Sequence, residues 1–146
     1  MYHRILVPLE NTHTDRVIID HVRALARDTG ASLVLIHVAD GFAARNLAQL
    51  DLRESEEMRR DRAYLDTVCE ELVADGLPCE AVLACGNPAD EIAVAAENER
   101  ADLIAMATHG HRGLNDLIRG SVASELRHRT HVPVLMVREP QPKSVP

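Results

Sequence analysis

The sequence predicts an α/β fold: a single doubly wound, open, parallel five-stranded sheet with helices on both faces. Three features predict it. Five short apolar runs alternate with segments of helical periodicity along the 146 residues. Those runs are nearly continuous rather than alternating apolar with polar, as in parallel strands covered on both faces. A loop of small residues, Ala107-Thr108-His109-Gly110 and then, after nine residues, Gly120-Ser121-Val122, joins the fourth run to a helical pattern. Right-handed crossovers turn a β-α-β-α-β-α-β-α-β order into a doubly wound sheet.

The first run, Ile5-Leu6-Val7, ends at Pro8-Leu9-Glu10. A helix follows over 14–29, with Ile18, Val22, Leu25 and Ala26 on one face and Gly30 as its C-terminal stop. Leu33 to Val38 is the second run. Gly41 to Leu52 is a long connection, read as a flap or a helix extension near the ligand end. The second helix is expected over 55–75, with Leu65, Val68 and Leu72 inward and Gly76 behind it. Ala81 to Cys85 is the third run. Asn87-Pro88 opens the third helix, as an N-cap followed by proline at the first helical position. The fourth run is Leu103 to Met106, and its helix is expected from Val122 to Arg129. The last run is Val134 to Val137, and residues 139–146 read as a loose polar tail behind a domain of 1–138.

Composition removes several classes of function. Aromatic residues make up 2%, too few for the base-stacking platforms of single-strand nucleic-acid binders. A net charge of −7 argues against a nucleic-acid surface. No apolar run approaches the roughly 18 residues of a membrane span. Met1-Tyr2-His3-Arg4 leads into a strand, not into a signal-peptide core. Cys69, Cys79 and Cys85 have no metal-ligand spacing and read as reduced thiols of a cytoplasmic protein.

Ligands of doubly wound sheets sit outside the carboxyl ends of the strands, where the winding reverses. Small residues there let the backbone approach a ligand, and amides at a helix start point at an anion. Ser121 adds a hydroxyl donor beside Gly120, and Arg112 and Arg119 could neutralise phosphates. The same glycines could instead serve only a turn, and the arginines a solvated surface. His109-x-His111, with His128 and His131 elsewhere, lacks placed third and fourth ligands, so no metal centre is expected. Ser121 has no G-x-S-x-G elbow and no base placed by spacing, so no catalytic residue is assigned. Arg59-Arg60-Asp61-Arg62, beside Glu54, Glu56 and Glu57, reads as a solvated helix face.

Several blocks together resemble the universal stress protein family over nearly the whole chain. They are Arg4 to Leu9, Gly30 to Val38, Gly86-Asn87-Pro88-Ala89-Asp90-Glu91-Ile92, Asp102 to Met106 with the loop behind it, and His131 to Val137. In the ATP-binding branch of that family the loop reads G-x2-G-x9-G-[S/T]. Here Gly110, Gly120 and Ser121 fit, and Ala107 stands for the first glycine. The family's aspartate after the first strand is Glu10, whose extra methylene changes its reach by roughly 1.5 Å. Ala107 is readily tolerated only with a negative φ.

The resemblance implies an ATP site, open also to AMP or ADP, with Mg²⁺ accompanying the nucleotide. Pro8, Leu9, Glu10 and Val38 would form its adenine and ribose end. Ala107, His109, Gly110, Arg112, Gly120, Ser121 and Val122 would form its phosphate end. In strand order 3-2-1-4-5 the last strand, Val132 to Val137, is an edge, and the resemblance implies that it pairs with its twin in a homodimer. The nucleotide would then be a conformational ligand of a stress-response regulator with a protein partner. The alternatives are a nucleotide-independent dimeric module of the same fold and an adenylyl-transferring enzyme.

Overall fold

The computed structural model describes the backbone of residues 1–40, 47–108 and 114–138, and the side chains of these except 40, 47–55 and 114–121. Strands β1 (Arg4–Pro8), β2 (Ser32–Asp40), β3 (Cys79–Gly86), β4 (Leu103–Thr108) and β5 (Val134–Arg138) alternate with helices. The helices are α1 (Asp15–Thr29), α2 (Leu47–Ala74), α3 (Pro88–Asn98) and α4 (Leu114–Arg129). The sheet order is β3-β2-β1-β4-β5, and every neighbouring pair is parallel.

Alternate residues of each central strand point to opposite faces, and both faces are covered. Ile5, Val7, Leu33, Leu35, Leu103 and Ala105 pack with Ile18, Ile19 and Val22 of α1 and Leu65, Val68 and Leu72 of α2. Leu6, Val34, Ile36, Ile104 and Met106 pack with Ile92, Ala93 and Ala96 of α3 and Leu126 of α4. Thus α1 and α2 cover one face, and α3 and α4 the other. Each fully buried Leu or Ile contributes about 1.5–3 kcal/mol.

The helix signals behave as their chemistry requires. Gly30, at φ 74°, ends α1 with its N–H on the Ala26 carbonyl at 2.8 Å. The Asn87 side chain accepts from the Asp90 N–H at 3.1 Å, with Pro88 in the first turn of α3. Several boundaries differ from expectation, the start of α4 among them. Helix α2 begins at Leu47 rather than near Ser55, so part of the long connection is a helix extension. Leu47-Ala48-Gln49-Leu50 are all good helix formers. Strand β5 begins at Val134, two residues later than the expected edge segment. Pro133 has no N–H to give the ladder, although its carbonyl accepts from Ile104 N–H at 2.9 Å.

The amino ends of the strands are clasped by Arg4 and Asp102. The Arg4 guanidinium donates to the Glu99 carbonyl and carboxylate, both at 2.7 Å, and to Ser32 Oγ and Glu80 at 3.2 Å. The Asp102 carboxylate accepts from the His3 and Arg4 amides at 2.8 and 3.0 Å. This clasp leaves the opposite, carboxyl ends of the strands for a ligand.

Candidate functional site

An open cleft of about 570 Å³ lies across the carboxyl ends of β1, β2 and β4. It straddles the switch point, where β1 is flanked by β2 on one side and β4 on the other. Pro8, Leu9 and Glu10 form one wall, Ile36, His37 and Val38 a second, and Met106 and Ala107 a third. Pro88 and Ile92 of α3 and Val122 of α4 close it from the second face. The lining is mainly apolar, with Glu10 and His37 as its polar groups.

Local hydrogen bonds hold the β1 wall. The Leu9 N–H extends the sheet by donating to the Ile36 carbonyl at 2.8 Å. Asp15, 1% exposed at the start of α1, turns its carboxylate back onto the chain before it. That carboxylate accepts from the N–H groups of Glu10 at 3.0 Å and Asn11 at 2.8 Å, and from Thr12 at 3.4 Å. Tyr64 of α2 donates to the same carboxylate at 2.7 Å. Burial, and then the Asp15 carboxylate, push the Tyr64 phenol well above its ordinary value. A carboxylate at the first turn also suits the helix dipole. Asn11 occupies the left-handed region at φ 63°, a conformation its short polar side chain tolerates.

The structure brings Pro8, Leu9, Glu10, Val38, Ala107 and Val122 to this one cleft. Ala107 lies within β4, paired with Val137, and its φ is not positive, which meets the condition for alanine there. His109, Gly110 and Arg112 lie outside the described residues. Gly120 and Ser121 call for a correction. The sequence predicts them at a helix start, but α4 begins at Leu114, so both fall inside the helix. Leu114, Leu117 and Ile118 recur at helical spacing, and most residues of that stretch tolerate a helix well. In a helix starting at Leu114, the amides without an intrahelical acceptor belong to its first turn, ahead of Gly120.

Ile36, His37, Pro88, Ile92 and Met106 also line the cleft and were not singled out from the sequence. Pro88 carried a signal, since it stands at the carboxyl end of a strand as well as at a helix start. Ile36, Ile92 and Met106 are indistinguishable in sequence from ordinary core residues.

Comparison with known proteins places the chain. The model of the Universal stress protein family matches residues 1–138. The chain is 27% identical to Universal stress protein MJ0577 of Methanocaldococcus jannaschii, over 94% of this chain and 96% of that protein. The solved structure of MJ0577 superposes with a TM-score of 0.80 at 25% identity, covering 97% of this chain and 99% of the other. A universal stress protein from Burkholderia pseudomallei superposes at 0.72 with 28% identity, covering 93% and 96%. At 20% identity and 0.65, covering 93% and 98%, a universal stress protein from Archaeoglobus fulgidus solved with dAMP shares the fold.

Proposed function

The chain belongs to the universal stress protein family, and we propose that it acts there as a small cytoplasmic ATP-binding regulator, with the nucleotide as a conformational ligand rather than a substrate. The observation that carries this reading is the cleft at the switch point, formed jointly by Pro8, Leu9, Glu10, Val38, Ala107 and Val122. Its apolar walls suit a purine base, and Glu10 is at hand for a ribose hydroxyl. The relative solved with dAMP supports an adenine nucleotide as the ligand class.

The phosphates would reach past Ala107 to His109, Gly110 and Arg112, and to Gly120, Ser121 and Val122 of α4, with Mg²⁺ among them. In the helical form the Gly120 and Ser121 amides lie within α4. Their use for phosphate therefore requires the start of α4 to unwind. Glycine inside a helix, about 1 kcal/mol less favourable than alanine, lowers the cost of that change. No base is assigned near the phosphates, so any hydrolysis would be slow.

The assembly would be a homodimer through residues 132–137 on the sheet edge, passing the nucleotide state to a protein partner. A change of loop conformation coupled to ligand would shift that equilibrium. The second reading, a nucleotide-independent dimeric module, is favoured by the helical state of Gly120 and Ser121 alone.

Calorimetric titration with ATP and Mg²⁺, joined to mass analysis of small molecules released on denaturation, separates the two. Saturable binding, or a co-purified adenine nucleotide, is the expected result. No heat at millimolar ATP and no released nucleotide would leave the nucleotide-independent module as the function.

A further inference from the structure

His37, on the cleft wall, has both ring nitrogens against acceptors. Nδ1 lies 2.8 Å from the Leu9 carbonyl oxygen, and Nε2 lies 3.2 Å from Asp61 Oδ2 on α2. The two side chains are 14% and 18% exposed, so water has little access to replace either contact. A carbonyl and an ionised carboxylate have no proton to give, and a neutral imidazole has one N–H. The Leu9 contact is a hydrogen bond and the Asp61 contact an ion pair, and both are favourable at once only when the ring carries a proton on each nitrogen. The other oxygen of Asp61 accepts from Asn11 Nδ2 at 3.1 Å. The pair therefore joins β2, α2 and the chain that follows β1.

The geometry points to a proton-operated tie: doubly protonated His37, bridging the Leu9 carbonyl and Asp61, fixes the β1 wall of the cleft against α2. Loss of that proton leaves a ring lone pair facing a carboxylate, and the wall formed by Leu9 and Glu10 loosens. The tie is complete when both ring nitrogens carry a proton and incomplete when one of them does.

The surrounding groups are defined. From the β1 side, Glu10 lines the same cleft, and Asp15 is occupied by three amides and Tyr64. From α2, Glu57 and Arg60 line a polar recess with Asn11 and Asp61. On β3, the register partner Leu83 does not titrate, and Cys85 lies two residues beyond it. On β4, Met106 and Ala107 contribute no charge to the cleft. On β2 itself, Asp40 follows three residues after His37.

The effect on affinity rests on the nucleotide reading above; the tie itself does not. The first test is the imidazole ¹⁵N spectrum of nucleotide-free protein at about pH 6, on the acidic side of an ordinary histidine. Protons on both ring nitrogens of His37 are expected, and Asp61→Asn should abolish the protected Nε2–H signal. A ring with one N–H there would overturn the tie. The second test is ATP affinity at about pH 6 and about pH 8, bracketing that change. The parent should lose about tenfold more affinity on going alkaline than Asp61→Asn, as expected when one ion pair behind the cleft wall is lost. Asp61 is outside the cleft lining, and comparing the two proteins cancels the titration of ATP itself. Equal pH dependence in both would overturn the coupling. If Asp61→Asn fails to fold, His37→Gln, which keeps one donor for Leu9, replaces it. If the parent binds no ATP, the nucleotide reading fails and the spectrum still decides the tie.

Discussion

Tyr64 of α2 donates its hydroxyl to Asp15 of α1 at 2.7 Å, across 49 positions of sequence. Through that one carboxylate, two helices and the backbone of residues 10–12 hold the entrance of the cleft in place. Asp15→Ala leaves the Glu10, Asn11 and Thr12 amides without their acceptor. It should destabilise the fold by about 3 kcal/mol, while Tyr64→Phe, removing one bond to a charged group, should cost about 1.5 kcal/mol. Urea unfolding of both variants measures the difference, and equal losses would mean that the amides find other partners.

Acid should act first on the clasp at the other end of the sheet. Burial raises the Asp102 carboxyl, but the Arg4 and His3 amides outweigh it and hold it below its ordinary value. A lowered value in the folded state means that the carboxylate stabilises the fold above the unfolded value. That contribution is lost as pH falls through the folded value, so the window lies below about pH 4. Asp102→Asn should be less stable than the parent at neutral pH, and the gap should narrow in acid. Unfolding midpoints at about pH 7 and pH 3 test this, and a constant gap would contradict it.

Gly120→Asp should preserve the fold. Aspartate is no worse than glycine as a helix former, and Gly120 lies within α4. It should weaken ATP binding by more than tenfold, since it adds a like charge and a Cβ where phosphate is expected and costs at least two charge-assisted hydrogen bonds. Calorimetry with unchanged circular dichroism is the measurement. Parent-like affinity would move the phosphates elsewhere.

Met136 is the residue with which to test the dimer. It is 56% exposed on the edge strand β5, whereas Leu135 and Val137 pack against the core on the α1 and α2 face. Met136→Lys should shift a dimer towards monomer without a large loss of stability, while Leu135→Lys should damage both. Sedimentation at micromolar concentration reads this, and a monomeric parent would rule out the edge-strand dimer.

The sequence by itself determined the class of fold, the helix caps and the two-faced core. These depend on local chemistry: continuous apolar runs, Asn87-Pro88 at a helix start, Gly30 at a helix end. It also marked Pro8, Glu10, Val38 and Ala107 as neighbours, because strand ends in a doubly wound sheet converge at one crevice. Tertiary structure decided the rest. Pairings such as His37 with Asp61, or Tyr64 with Asp15, join segments whose approach no periodicity encodes. The same holds for Ile92 and Met106, which are core residues until packing leaves one side of them open to the cleft. The start of α4 differs from the sequence expectation because Gly120 signals a loop in sequence, whereas helix formers before it and the packing of Leu126 behind it favour continuing the helix. Local propensity is worth tenths of a kcal/mol per residue, and a buried contact several times more, so packing prevails where the two disagree.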